Sequence, residues 1–160
     1  MILVPDICRI LFLSILAALV TGSALGAPSA WQDYSTGFAI GGFDPVAYFT
    51  RREAAPGLEG IEHRWGGTNW RFANTGNRDA FAKHPNIYAP QFAGYDVLSV
   101  SKGLSVQGSP ALWDLYQQKV YLFADKKNLL AWKRNRDQII AAARANWSAL
   151  GDNLPGTSEK

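Results

Sequence analysis

Sulfur is nearly missing from this chain: among 160 residues there is one cysteine, Cys8, and one methionine. Cys8 precedes Arg9 and an apolar run, Ile10 to Val20, which is short for a membrane span. Small residues follow in Gly22-Ser23-Ala24-Leu25-Gly26-Ala27. A basic residue, an apolar run and a small-residue exit form the pattern of a secretory signal, with cleavage expected after Gly26. Cleavage there removes Cys8. The mature product then has no disulfide, no thiolate metal site and no thiol nucleophile, and its stability rests on packing. The expected location is periplasmic or secreted, with no membrane association after cleavage.

Histidine is scarce too, with His63 and His84 alone, and no His-x-x-x-His pair occurs. The formal charge of +3 is only mildly basic. Lys126-Lys127 and the Lys133, Arg134, Arg136 group are short enough to be solvated helix faces, so no nucleic-acid partner is expected. There is no nucleophile elbow and no Ser/His/Asp order. Gly37, Gly41 and Gly42 do not space as a phosphate-cradling loop.

Aromatic residues are plentiful: six Trp, six Tyr and eight Phe. The clearest local signal is Ile61 to Phe72, where two aromatic-bearing runs flank Gly66-Gly67. A Gly-Gly pair suits a two-residue hairpin turn, because both central positions need positive φ. That turn opposes Trp65 to Thr68, His63 to Trp70 and Ile61 to Phe72. One face of the ribbon then carries those side chains, and the other carries Glu62, Arg64, Asn69 and Arg71.

The remaining elements follow in order. Residues 27–36 read as a loose leader. Gly37 to Gly42 reads as a short strand ended by glycines. Asp44 suits a helix N-cap and Pro45 a first helical position, giving one turn with Val46, Tyr48 and Phe49 inward. After the hairpin, Asn74 or Thr75 caps a helix that stops at His84, before Pro85. Pro85 to Tyr88 makes another turn. Gln91 to Ser101 alternates loosely and reads as a strand with Asp96 in its middle. Residues 102–110 read as a loop. Leu112–Tyr116 and Lys119–Phe123 read as a second hairpin around Gln117-Gln118, pairing Leu115 with Val120 and Trp113 with Leu122. Asp125 caps a helix, a break falls near Asn135, and Ile139, Ala143 and Trp147 share one side of the last helix. No internal repeat and no linker is read. The expected organisation is a signal peptide over 1–26, one domain over 37–150 and a mobile tail over 151–160. The fold class is α+β, a small mainly antiparallel sheet with hairpins, packed against a short central helix and a C-terminal helical segment.

Several separated blocks agree with a known pattern: Gly42 to Phe49, Thr68 to Asn74, Asn77 to Phe81 and Pro85 to Tyr95. Over roughly Gly37 to Trp147 the chain resembles the exported YHS-domain family of bacteria. The resemblance implies a small α+β domain. It also implies kinship with domains that occur beside metal-handling modules and are associated with metal binding through cysteine. Two positions depart from the family pattern. Asp96 stands where many exported members carry a cysteine after the Gly-Tyr equivalent to Gly94-Tyr95. Gln117-Gln118 replaces the usual Asp-Gly turn.

Three functional constellations can be drawn. The available metal ligands are His63, His84, Asp44, Asp96, Glu62 and Asp79, with structural roles expected for both histidines. Asp96, between Tyr95 and Val97, is an acid–base candidate, because apolar surroundings disfavour the charged carboxylate, and otherwise a buried carboxyl satisfied by backbone N–H or by Ser99, Ser101 or a Tyr hydroxyl. Tyr48, Trp65, Trp70, Tyr88, Tyr95 and Trp113 can line a pocket with Asp44, Asp96 and Arg71 as polar points. The expectation is an accessory module without thiol chemistry that binds a small ligand or metal ion through Asp44, Tyr48, Tyr88, Tyr95 and Asp96. The competing readings are a hydrolytic or isomerising enzyme with Asp96 as acid/base, and a pure protein-interaction domain.

Overall fold

The computed structural model describes residues 30–151, apart from Tyr34. The expected signal segment with Cys8, and the expected tail beyond Gly151, lie outside the described residues.

The first hairpin forms as its turn dictates. Strands β1 (Glu62–Trp65) and β2 (Thr68–Arg71) pair antiparallel, with Trp65 opposite Thr68 and His63 opposite Trp70. The Phe72 N–H donates to the Ile61 carbonyl at 2.9 Å, extending the expected register by one pair. Gly66 and Gly67 take φ of 58° and 76°, the mirror-image geometry that fits strand twist. Ahead of the hairpin, α1 (Ala47–Thr50) is the single turn expected after Asp44-Pro45. Behind it, the Asn74 side chain accepts from the Asn77 N–H and caps α2 (Thr75–Lys83). Pro85 sits in the first turn of α3 (Pro85–Tyr88).

The second half repeats the scheme. A one-turn helix, α4 (Val97–Val100), precedes β3 (Ser109–Tyr116) and β4 (Lys119–Phe123). Leu115 opposes Val120 and Trp113 opposes Leu122, as their sequence spacing predicts. The pairing shifts between Ser109 and Trp113, so β3 starts inside the expected loop. Asp125 caps α5 (Lys126–Trp132), and α6 (Arg136–Gly151) follows a short break. The strands form two separate two-stranded antiparallel sheets, in an α+β fold.

Three expectations fail here. Gln91 to Ser101 is not a strand. It makes a 3₁₀ turn over Gln91–Gly94, an extended Tyr95-Asp96, and then α4. Positive φ at Phe92, Ala93 and Gly94 turns the chain, and the Asp96 side chain accepts the Leu98 N–H to start the helix. Local capping therefore overrides the loose alternation. Residues 30–36 are no loose leader either. Trp31 is buried, its Nε1 donates to the Gly94 carbonyl at 2.8 Å, and Gln32 bridges to Ala39. Gly37 to Gly42 holds only isolated bridges at Phe38 and Ala39 before a 3₁₀ turn at Ile40–Gly42.

The halves match in detail, so the expectation of no internal repeat is also overturned. Ile40, Gly41 and Gly42 have positive φ, as do Phe92, Ala93 and Gly94. The Asp44 N–H donates to Ala55 O at 2.8 Å, and the Asp96 N–H to Val106 O at 2.8 Å. Gly57 N–H meets Gly42 O, and Gly108 N–H meets Gly94 O. A Cβ on Gly57 would lie 2.5 Å from Arg71 Cγ, and one on Gly108 would lie 2.5 Å from Leu122 Cβ. Arg71 and Leu122 hold the same place in the two hairpins.

The core follows the same plan. In the first unit Phe81 of α2 packs on Trp65, Trp70 and Phe72, with ring centroids at 5.7, 5.0 and 5.2 Å. In the second Trp132 of α5 packs on Tyr116, Tyr121 and Phe123 at 5.9, 4.6 and 5.6 Å. The interplanar angles are 87°, 37° and 54° in the first set and 89°, 39° and 55° in the second.

The units meet through β3, whose Trp113 packs on Tyr48 and whose Pro110 carbonyl accepts from the Tyr48 hydroxyl at 2.9 Å. Helix α6 covers the outer side of the second unit, where Trp147 packs on Phe92 and Tyr95.

Candidate functional site

Asp96 and Asp44 are both fully buried, and both are held by donors of their own unit. Asp44 Oδ1 accepts the Val46 and Ala47 N–H groups at 2.8 and 3.3 Å. Its Oδ2 accepts the Ala73 N–H at 2.9 Å and the Asn77 carboxamide at 2.6 Å. Asp96 Oδ1 accepts the Leu98 N–H at 3.3 Å. Its Oδ2 accepts the Ser99 hydroxyl at 2.6 Å and the Asn128 carboxamide at 2.5 Å.

Each carboxylate thus does two jobs. It starts a one-turn helix, and it clasps the first turn of the helix that follows its hairpin. The asparagine of each clasp is itself placed by a cap: Asn74 holds the Asn77 N–H and Asp125 holds the Asn128 N–H, both at 2.8 Å. A buried charge is tolerable only when donors satisfy it, and here the donors are built into the fold.

The two aspartates share no hydrogen-bond partner. The two polar points of the expected site, Asp44 and Asp96, are thus each held by a separate set of donors. Tyr48 is buried, and burial, reinforced by the Asp44 charge, pushes its phenol well above the usual range. Tyr95 is buried against Trp147, on the α6 side of the molecule. Tyr88 is half-buried and meets Phe49 edge-on at 5.3 Å. Of the five sequence-predicted residues, Asp44 lies close enough to Tyr48 for its charge to act on the phenol, and Tyr88 meets Phe49, the chain neighbour of Tyr48 in α1.

His63 packs its ring on Phe81 and His84 is exposed. Glu62 pairs with Arg71 at 2.9 Å and Asp79 with Arg78 at 2.8 Å, so both carboxylates are engaged on the surface. Among the described residues, no three His, Cys, Asp or Glu side chains gather as a metal-holding group. The aromatics of the expected pocket have separate neighbours: Trp70 is core and Trp65 packs on Phe81, whereas Trp113 packs on Tyr48 and Tyr88 on Phe49.

Sequence reasoning offered Ser99 as a partner for a buried Asp96, as found, but missed Asn77 and Asn128. A signal for the asparagines exists: Phe72-Ala73-Asn74 precedes Asn77 as Phe123-Ala124-Asp125 precedes Asn128. No family model, no curated protein and no solved structure matches the chain. Among the described residues, no helix is long and apolar enough to cross a membrane.

Proposed function

We propose that this chain is an exported YHS-type accessory module that binds a small ligand, and that Asp96 is not a general acid or base in it. The binding half of this reading rests on the family resemblance; the observation that carries the half about Asp96 is the state of its carboxylate. Both of its oxygens already accept donors from Leu98, Ser99 and Asn128, and the side chain is fully buried. A general base must reach the proton it abstracts, and a carboxylate spent on its own helix caps does not. Asp44, in the matching place, is held the same way.

Native mass spectrometry with elemental analysis, on protein purified from the periplasm, tests the binding reading. The expected result is a stoichiometric small molecule that leaves on denaturation. An empty protein that instead turns over a substrate, and loses that turnover in Asp96→Asn at unchanged stability, supports the acid–base enzyme.

A further inference from the structure

Oxidants act first on sulfur where a chain offers it. Here the cysteine and the methionine are Cys8 and Met1, so residues 30–151 hold neither. A one-electron oxidant is then left with tryptophan and tyrosine. A phenol gives up its electron readily only when its proton can leave with it, so the susceptible hydroxyl is one that faces a base.

The described tyrosines differ on this point. Tyr48, Tyr95 and Tyr121 are buried. The Tyr48 hydroxyl donates to the Pro110 carbonyl, a neutral acceptor that does not keep a proton. The Tyr88 hydroxyl has no acceptor among the described residues. Tyr116, at the end of β3, is half-buried, and its hydroxyl donates at the surface to Asp137 Oδ1 at 3.0 Å. Asp137 stands exposed in the first turn of α6, open to water. Behind Tyr116 lies Trp132, fully buried and edge-on to it at 5.9 Å, and Trp132 is tilted 39° on Tyr121 at 4.6 Å. The Arg136 guanidinium lies 5.0 Å from the Tyr116 ring centre. A cation there disfavours a positively charged ring, so electron and proton leave together. The matching set in the first unit, Trp65, Trp70 and Phe81, contains no phenol, and the Trp70 indole donates to the Trp65 carbonyl.

We infer that Tyr116 is the site at which this protein is oxidised, with Asp137 as its proton acceptor and Trp132 and Tyr121 as rings that pass charge to it. The co-reactant is a one-electron oxidant, such as a high-valent metal complex. It removes one electron from the ring cluster. Tyr116 supplies an electron to fill the hole, and its hydroxyl proton goes to Asp137 and on to water. What remains is a neutral tyrosyl radical at the surface. Two such radicals, from two chains, join by a carbon–carbon bond beside their oxygens. The hydrogens on the joined carbons move to the oxygens, so the linked pair weighs two hydrogens less than two separate chains.

The test exposes the full mature chain to tris(bipyridine)ruthenium(III), generated by light with persulfate, and maps the products by peptide mass spectrometry. The expected main product is a Tyr116–Tyr116 cross-link. Tyr116→Phe is expected to lower cross-linking severalfold and to move oxidation to Trp132 and Tyr121. Asp137→Asn keeps an acceptor for the hydroxyl but cannot hold its proton. Its yield is expected to fall severalfold and to be restored by added acetate, which the native protein does not need. Tyr88→Phe is expected to leave the pattern unchanged. Cooperative urea transitions confirm that each variant folds. A native product centred on Tyr88 or Trp147, or a folded Asp137→Asn that is oxidised like the parent with no response to acetate, overturns the assignment.

Discussion

At the scale of single residues, the chemistry that looks catalytic in one dimension is architectural in three. Asp44 and Asp96 are buried carboxylates, but each is consumed in holding a helix start and a helix flank together. Tyr48 adds a titrating group to this frame. Its phenol is raised above the ordinary 10.0 by burial first and the Asp44 charge second. Below pH 10 the phenol is neutral in both states and the balance is flat. Above it the unfolded chain ionises first, so stability falls as pH rises, by up to about 1.4 kcal/mol per pH unit. Tyr48→Phe is therefore expected to flatten the alkaline limb of an unfolding curve, while losing the hydrogen bond to Pro110. The two close-approach glycines give a paired prediction. Gly57→Ala and Gly108→Ala each drive a methyl to 2.5 Å from a neighbour, with backbone atoms at 2.6 and 2.7 Å behind it. Both are expected to lower stability by about 2 kcal/mol or more in urea titrations.

At the scale of elements, the two hairpins show what a turn can and cannot declare. Gly66-Gly67 announces its geometry, and β1–β2 forms in the register it predicts. Gln117 and Gln118 adopt the same positive φ, 48° and 56°, without the residues that favour it. Holding a side-chain-bearing residue left-handed costs about 1–2 kcal/mol. Gln117→Asn with Gln118→Gly is thus expected to stabilise the protein by about 1–2 kcal/mol, read as a higher Tm with unchanged register. The legible parts of the fold were those with a local chemical cause: the Asp44 turn, the Asn74 and Asp125 caps, the halt before Pro85, and both hairpin registers. Gln91 to Ser101 was misread because its alternation of apolar and polar residues mimics a strand, while three consecutive positive-φ residues and the Asp96 cap make it a turn and a helix. Phe92 and Ala93 carry no sequence mark of that geometry.

At the scale of the whole molecule, two like units are stacked and the ends are closed differently. Residues 30–39 close one side, with Phe38 under the Arg71 guanidinium at 3.8 Å and Trp31 reaching Gly94 of the second unit. Helix α6 closes the other, where Asn146 donates to the Val100 and Ser101 carbonyls at the end of α4. Trp31→Ala, which empties a buried indole site shared by both units, is expected to cost about 3–5 kcal/mol while keeping one cooperative transition. The repeat was hard to read in sequence because its identities are scattered: Gly42 with Gly94, Asp44 with Asp96, Gly57 with Gly108, Phe72-Ala73 with Phe123-Ala124, Asn77 with Asn128 and Ala80 with Ala131. The spacing also slips by one residue, since the aspartate-to-asparagine span is 33 in the first unit and 32 in the second. Which aromatics are framework was not legible in the sequence, because Phe81 and Trp132 meet their hairpin rings only through tertiary packing. The measurement that bears most directly on the clasps is urea unfolding of Asn77→Ala beside Asn128→Ala. Each variant leaves a buried carboxylate short of a donor, so both are predicted to lose about 1–3 kcal/mol in a single transition. An Asn128→Ala protein as stable as the parent, beside a destabilised Asn77→Ala, would contradict the clasp at Asp96 and return that carboxylate to the list of groups free for chemistry.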